Sequence, residues 1–480
     1  MNPWQHLHPD PLRQWAALLL LLAWLVLLAA TLWRQRRHAR RHLQATDAPA
    51  NAHPALLIAF ASQSGFAAQL AQQHAGQLSA QGWQPQCLPL GQVQAGTLQG
   101  VRHALFLIST TGEGDAPDNA AAFIRRCMAA PDAAIGLPHL HYRLLALGDS
   151  RYARYCGFGR AVDDWLQRSG AHPDAPRMEL DNAHPDALAQ WQACIDQLMA
   201  PGHTASTATA TPVQAATPQP WRLAQRQILN PGSPGAPLAR LVLEPLHSLP
   251  HWQAGDVATL EIPSADRAAH SLWRDYTIAS LPASGHLELL VRQQLRSDGS
   301  PGIGSHWLLH QLQPGQTLHL NLRHNPLFHP PAIDKPLILI GSGTGLAGLL
   351  AQIRHRAACH AQGQTIGPLW LLYGERSPRH DAHFDACLHH WRQQGVLHRL
   401  ERAYSCDPDA LPHSARHVQE LLPPLAQPLQ ELLLHQQATL YLCGSRQPMA
   451  QGVHTTLENL LGPGTLQTLT DTGRYLRDVY

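Results

Sequence analysis

Six stretches of the 480-residue sequence concentrate the residue types that hold phosphates and flat rings. Ser62-Gln63-Ser64-Gly65-Phe66-Ala67 joins an apolar run to a helical pattern. Hydroxyls and free backbone N–H groups at a helix start form a phosphate cradle, or, in the plainer reading, a Ser-rich turn with a satisfied cap. Ser109 to Pro117, with Thr110, Gly112 and Gly114, and Leu147 to Cys156, with Gly148, Tyr152, Tyr155 and Cys156, follow two further apolar runs. Glycines admit a flat ring close to the backbone and an aromatic side chain stacks on it. In Arg274-Asp275-Tyr276-Thr277 an Arg can pair with a pyrophosphate, a Tyr can cover a ring and a hydroxyl can reach its edge. Gly302-Ile303-Gly304-Ser305 opens an apolar helical stretch. Gly341-Ser342-Gly343-Thr344-Gly345 stands between the run LILI and a helical pattern, the context of a dinucleotide pyrophosphate loop.

The elements around these stretches are legible from hydrophobic periodicity. Runs at 55–60, 104–109 and 143–148 read as buried parallel strands separated by amphipathic helices, so residues 55–199 read as a doubly wound α/β domain. Residues 200–220 hold one large apolar residue, Val213, and read as a linker. Residues 221–332 carry strand patterns broken by Gly and Pro, which predicts a small antiparallel barrel. From residue 333 to 480 strand and helix alternate again, a second α/β domain. The first three loops then lie at the C-terminal ends of strands, where open α/β sheets bind ligands.

Trp15–Trp33 is a run of 19 residues without charge, long enough for a bilayer core. Arg34, Arg36, Arg37, Arg40 and Arg41 follow it. The expectation is a short extracytoplasmic N-terminus (1–14), a membrane helix (15–33), a basic tether (34–54) and cytoplasmic domains beyond. Lys+Arg number 35 and Asp+Glu 33, a net charge of +2, so no global field draws the chain to nucleic acid. The 8 Cys form no CxxC pair and the 32 His no HExxH, so no zinc site or disulfide framework is expected.

The three loops of the first domain resemble the FMN-binding loops of the flavodoxin family, and with the second half the chain resembles the diflavin reductases, most of all the sulfite reductase flavoprotein. The 274–280 and 302–308 stretches, and His324-Asn325 with Phe328, resemble FAD motifs of the ferredoxin–NADP reductase superfamily. Tyr373-Gly374-Glu375-Arg376, Leu442-Cys443-Gly444 and the tail Arg474-Tyr475-Leu476-Arg477-Asp478-Val479-Tyr480 resemble the NAD(P)-binding half. The implied architecture is a flavodoxin-like parallel sheet, an FAD-binding barrel and a Rossmann-like nucleotide domain, without the helical insertion of longer members.

By this resemblance Ser62, Gln63, Ser64, Gly65 and Ala67 hold the FMN phosphate. Thr110, Gly112, Gly114, Gly148, Tyr152, Tyr155 and Cys156 surround its ring. Arg274, Tyr276, Thr277, Gly302, Gly304 and Ser305 hold FAD, with Tyr480 over its ring. Gly341, Gly343, Thr344, Gly345, Arg376, Ser405 and Arg416 receive the pyridine nucleotide. Thr277, Cys443 and Asp478 surround hydride transfer, where a hydroxyl, a thiol and a carboxylate can align nicotinamide and stabilise charge. Phe66 and Thr111 depart from the family pattern in the FMN loops, Gly348 stands for the usual Pro, and Cys406 and Ala415 replace the Arg and Lys that read a 2′-phosphate. NADPH is expected, with NADH the alternative, and Arg376, Arg402 or Arg416 as substitute cations. The implied activity passes electrons from NADPH through FAD and FMN to a redox protein, ferric or haem acceptor at a bacterial inner membrane. Two other readings stay open: a flavin-binding carrier, docking or sensor module without NAD(P)H turnover, and a reductase that keeps only FAD.

Overall fold

The computed structural model describes residues 55–480 except 64, 112–113, 130–134, 151–153, 182–184, 199–217, 264–271, 297, 408, 410, 412–413 and 480. The expected membrane helix and tether fall on residues 1–54, outside the described residues. Among the described residues no helix is long and apolar enough to cross a membrane.

The first layer is a parallel sheet of β1 (Ala55–Ala61), β2 (Gln84–Pro89), β3 (His103–Ser109), β4 (His141–Gly148), β5 (His172–Pro173) and β6 (Met178–Asp181). Strand order is β2-β1-β3-β4-β5, with β6 also paired to β4, the flavodoxin-like doubly wound order. Apolar runs such as Leu56–Ala61 form its centre because both faces are covered. Leu57, Phe106 and Tyr142 face one core and Leu56, Ile58 and Leu105 the other. Helices α1 (Phe66–Ala80), α2 (Gly157–Arg168) and α3 (Pro185–Leu198) provide cover. The stretch expected as one helix after the second loop is three short turns in series, Asp118–Ala120, Ala121–Phe123 and Ile124–Met128.

The second layer is antiparallel: β7 (Gln219–Ile228), β8 (Leu238–Pro245), β9 (Val257–Ile262), β10 (Leu272–Thr277), β11 (Leu287–Arg292) and β12 (Thr317–Arg323), ordered β10-β9-β12-β7-β8-β11. It begins at Gln219, inside the stretch read as linker. Trp221 and Trp252 meet edge to face in its core, with ring centroids 6.3 Å apart.

The third layer is a parallel sheet of β13 (Leu337–Ser342), β14 (Leu369–Glu375), β15 (Arg399–Tyr404), β16 (Thr439–Gly444) and β17 (Tyr475–Val479), ordered β15-β14-β13-β16-β17. Helix α4 (Leu346–Ala361) follows the glycine loop after β13. The tail is thus an edge strand in register with β16, which sets Asp478 opposite Cys443.

Glu288 of β11 joins the second and third layers. It accepts from Arg240 at 2.5 and 3.0 Å, from Arg354 of α4 at 3.1 Å, and meets His286 at 3.0 Å. Burial opposes its ionisation, yet these partners bring its pKa down to about 2.

Candidate functional site

Three loops meet at the carboxyl ends of β1, β3 and β4. The Ser62 N–H donates to Asn119 Oδ1 at 3.0 Å, which joins the first loop to the second. Thr110 N–H donates to the Leu147 carbonyl at 2.8 Å and Thr110 Oγ1 accepts from Phe158 N–H at 3.2 Å, which joins the second to the third. Ser62, Gln63, Gly65, Ala67, Thr110, Gly114 and Gly148 therefore converge, while Ser64, Gly112 and Tyr152 lie outside the described residues. Gly65 sits at φ +83°, a left-handed conformation that disfavours a side chain. Tyr155 and Cys156 lie against Gly148, where an added Cβ would meet Cys156 N and Tyr155 Cδ2 at 2.9 Å. Tyr155 packs against the core, and Cys156 is wholly buried with its thiol 3.4 Å from the Ala146 carbonyl. Burial raises that thiol to about 11, so it stays protonated in the core. The left-handed turn at Cys156, φ 53°, directs it inward rather than toward the loop mouth.

The donors fit a phosphate. Ser62 Oγ and Asn119 Nδ2 are buried without a hydrogen-bond partner, and buried polar groups in native proteins are nearly always paired.

In the antiparallel layer, a Cβ placed on Gly304 would lie 3.1 Å from Arg274 Cγ and 3.3 Å from the Tyr276 hydroxyl. The 302–305 turn and β10 thus form one surface, in which a glycine at 304 lets the turn pack closely on Arg274 and Tyr276. Ser305 is used within the protein: its hydroxyl donates to Gly302 O at 3.2 Å and accepts from Gln294 N–H at 3.0 Å. These bonds hold that turn against the segment after β11.

Thr277, Cys443 and Asp478 come together from three strands. Thr277 Oγ1 donates to Asp478 Oδ2 at 3.0 Å. A Cβ on Gly348 would lie 3.1 Å from Thr277 Cγ2 and 3.8 Å from Cys443 Sγ, so a glycine at 348 lets α4 pack closely against both. Gly345 approaches closely too: a Cβ there would lie 2.2 Å from the Cys443 carbonyl oxygen, which only glycine permits. Gly341 lies beside the same carbonyl. Burial pushes the Cys443 thiol far up, reinforced by Asp478. Burial also raises the Asp478 carboxyl, against the Thr277 hydrogen bond. Gly343 accepts from the Tyr373 hydroxyl at 3.0 Å, which ties the glycine loop carrying Thr344 to β14.

Arg376 and Ser405 end neighbouring strands, with Ser405 N–H donating to Glu375 O at 2.9 Å and Cys406 N–H to Arg376 O at 2.7 Å. Tyr404 N–H donates to Ala415 O at 3.4 Å, which brings Arg416 alongside. Arg376 and Arg416 are exposed. Arg402 is occupied by Asp385, 2.6 Å away, and by the Tyr404 hydroxyl at 3.2 Å. Tyr480 lies outside the described residues.

Sequence reading missed the seam between the flavodoxin-like layer and the rest. Arg477 of β17 pairs with Asp118. Gln63 donates to Asp118 and to the Arg477 carbonyl, and Arg125 meets Asp471 at 3.2 Å. The Arg323 guanidinium lies 6.0 Å from the Phe66 ring centre, so the departure at Phe66 serves this contact. Two triads of ligand-type side chains also escaped notice, Asp256/His324/His329 and Glu375/Asp381/His383. Their carboxylates are occupied within the protein, Asp256 by both His and the Asn325 N–H, Glu375 by Arg292 at 2.7 Å.

Residues 58–191 match the flavodoxin family, and the chain contains a flavodoxin domain. Beyond that domain it is similar to the sulfite reductase [NADPH] flavoprotein alpha-component of Vibrio cholerae, 26% identical over 563 residues, 92% of this chain and 90% of that protein. The Bacillus subtilis protein of the same name is 24% identical, with 90% and 91% covered. The methionine synthase reductase of Mus musculus is 32% identical over 35% of this chain and 27% of its own length. The 563-residue alignment exceeds the 480 residues of this chain, so the relative carries segments that this chain lacks.

The expected inner-membrane location is corrected. No described helix is long and apolar enough to cross a membrane, and the relatives that match nine-tenths of the chain are sulfite reductase flavoproteins.

Proposed function

We propose that this chain is an NADPH-dependent diflavin oxidoreductase that delivers electrons to a redox acceptor protein. The flavodoxin domain and the flavoprotein relatives indicate FMN, FAD and NADPH as its cofactors. When bound, the two flavins supply the conversion of a two-electron hydride donor into single-electron delivery. The observation that carries the reading is the convergence of Thr277, Cys443 and Asp478, one hydrogen bond of 3.0 Å and one β register apart, with Gly345 and Gly348 packed against them.

The chain's own residues divide the work. Arg274 and Tyr276 would hold FAD against the 302–305 turn. Thr277 fixes the Asp478 carboxylate, which would orient nicotinamide and favour positive charge on its ring. Cys443, neutral and buried, gives that pocket a soft apolar wall. The 341–345 loop would take the nucleotide pyrophosphate. Arg376 and Arg416, exposed around Ser405, would read the 2′-phosphate in place of the family's Arg and Lys. Ser62 and Asn119 would hold the FMN phosphate. The acceptor we infer is a haem or iron–sulfur protein that docks on the flavodoxin domain, in keeping with relatives named for partner redox enzymes.

The test is NADPH-driven reduction of cytochrome c by the purified chain. Sustained turnover supports the reading. Flavin that stays oxidised under excess NADPH and NADH would favour a binding or carrier role instead.

A further inference from the structure

We infer that Asn325 completes the FMN phosphate seat from the neighbouring antiparallel layer, so that the phosphate is held by two domains at once. This rests on the FMN reading above. Asn325 follows β12, is wholly buried, and has neither side-chain amide atom paired. Its backbone N–H donates to Asp256 Oδ1 at 3.0 Å, and Asp256 is fixed in turn by Gln253 N–H and by His324 and His329. The Asn325 backbone is therefore rigidly placed, while its side-chain amide has no hydrogen-bond partner among the described residues.

It faces the phosphate loop. A Cβ added to Gly65 would lie 3.0 Å from Asn325 Oδ1 and 3.1 Å from its Cα. Ser62, which opens the same loop, and Asn119, which accepts from the Ser62 N–H, also carry unpaired buried donors, Ser62 Oγ and Asn119 Nδ2. Buried donors left unsatisfied are costly, and a phosphate, which offers only acceptor oxygens when ionised, would accept from Ser62 Oγ, from Asn119 Nδ2 and from the Asn325 amide once it is turned to present Nδ2 in place of Oδ1. The charges facing the loop permit it. Asp118 is the carboxylate bound by Gln63, and Arg477 neutralises it. Arg323 lies over Phe66, and His324 borders Gly65 through its carbonyl. Asn325 is a positioning and recognition residue here, remote from the ring chemistry.

The consequence is selective: Asn325 should matter for FMN and not for riboflavin, which has the same ring without the phosphate. The full chain, stripped of FMN, is titrated with each by calorimetry in wild type, Asn325→Ala and Asn325→Asp. The expected result is roughly a tenfold or greater loss of FMN affinity in Asn325→Ala, from a lost hydrogen bond to a charged group. Asn325→Asp, which keeps the size and places a carboxylate against the phosphate, should lose more. Riboflavin affinity should stay within about twofold in both, as ring contacts are untouched. Retained FAD and an unchanged unfolding midpoint show that the variants fold. Unchanged FMN affinity in both variants, or equal losses for FMN and riboflavin, would overturn the inference alone. A wild-type chain that binds no FMN would overturn it together with the functional reading.

Discussion

Arg477 and Asp478 are neighbours on β17 that serve opposite sides. The Arg477 guanidinium pairs with Asp118 of the flavodoxin domain, while the Asp478 carboxylate accepts from Thr277 of the antiparallel layer. Strand alternation makes this inevitable, since successive side chains point to opposite faces. One edge strand thus links the candidate hydride-transfer pocket to the seam beside the FMN loops.

Loss of that pair should loosen the flavodoxin domain. The two side chains are 27% and 19% exposed, so the interaction is stronger than a surface pair but still screened. Arg477→Ala and Asp118→Ala, with the double variant, should give a coupling energy of about 1–2 kcal/mol in a stability cycle. Small-angle scattering should show a larger radius of gyration in the single variants. A coupling near zero would mean that the seam is held by the Phe66–Arg323 and Gly65–Asn325 contacts instead.

The Asp478 carboxyl should set the acid limb of the pH profile for NADPH. Burial raises it above the usual carboxylate range and Thr277 opposes that rise. Activity that needs the carboxylate falls as pH drops through this raised value. Thr277→Val removes a hydrogen bond to the charged form and should move the limb to higher pH. Asp478→Asn should abolish the limb and lower kcat about 10²-fold or more. A limb unmoved in Thr277→Val assigns it to another group.

Nucleotide choice should rest on Arg376 and Arg416. Each change to Ala should raise KM for NADPH about tenfold, the worth of a charge-assisted contact, and leave NADH nearly unaffected. Arg402→Ala should act on stability rather than selectivity, because Asp385 and Tyr404 already occupy its guanidinium. Equal effects on both nucleotides would place these arginines elsewhere in the site.

Glu288 should anchor the second and third layers in a pH-dependent way. Its pKa falls from 4.5 to about 2 on folding. A depressed carboxyl contributes stability that is present above 4.5 and lost as pH falls toward 2, here about 3 kcal/mol. Denaturant unfolding of Glu288→Gln should show a loss of that order at pH 7 and a flatter acid profile. An acid profile like the wild type would show that other carboxylates dominate.

The candidate hydride-transfer site was legible in the sequence because each of its members lies in a local motif: a strand end, a glycine loop or the tail. Thr277, Gly345, Cys443 and Asp478 could be placed from those motifs, and parallel pairing of β13, β16 and β17 brings them together. The three-sheet plan was legible for the same reason, through periods of two and 3.6. The seam was not. Asp118 and Arg477 are separated by 359 residues, and nothing local marks either as a partner of the other. Asn325 carries no periodic signal, since its interest lies in buried amide atoms left unpaired. The inward turn of the Cys156 thiol was not legible either, because a thiol in a loop sequence says nothing of the local backbone conformation.

Flavin content of the purified full chain, released by acid and separated by chromatography and followed by anaerobic titration with NADPH, decides whether this is a diflavin oxidoreductase. FMN and FAD are expected at about one equivalent each, with both reduced by NADPH. FAD without FMN, or two flavins that NADPH leaves oxidised, would contradict it.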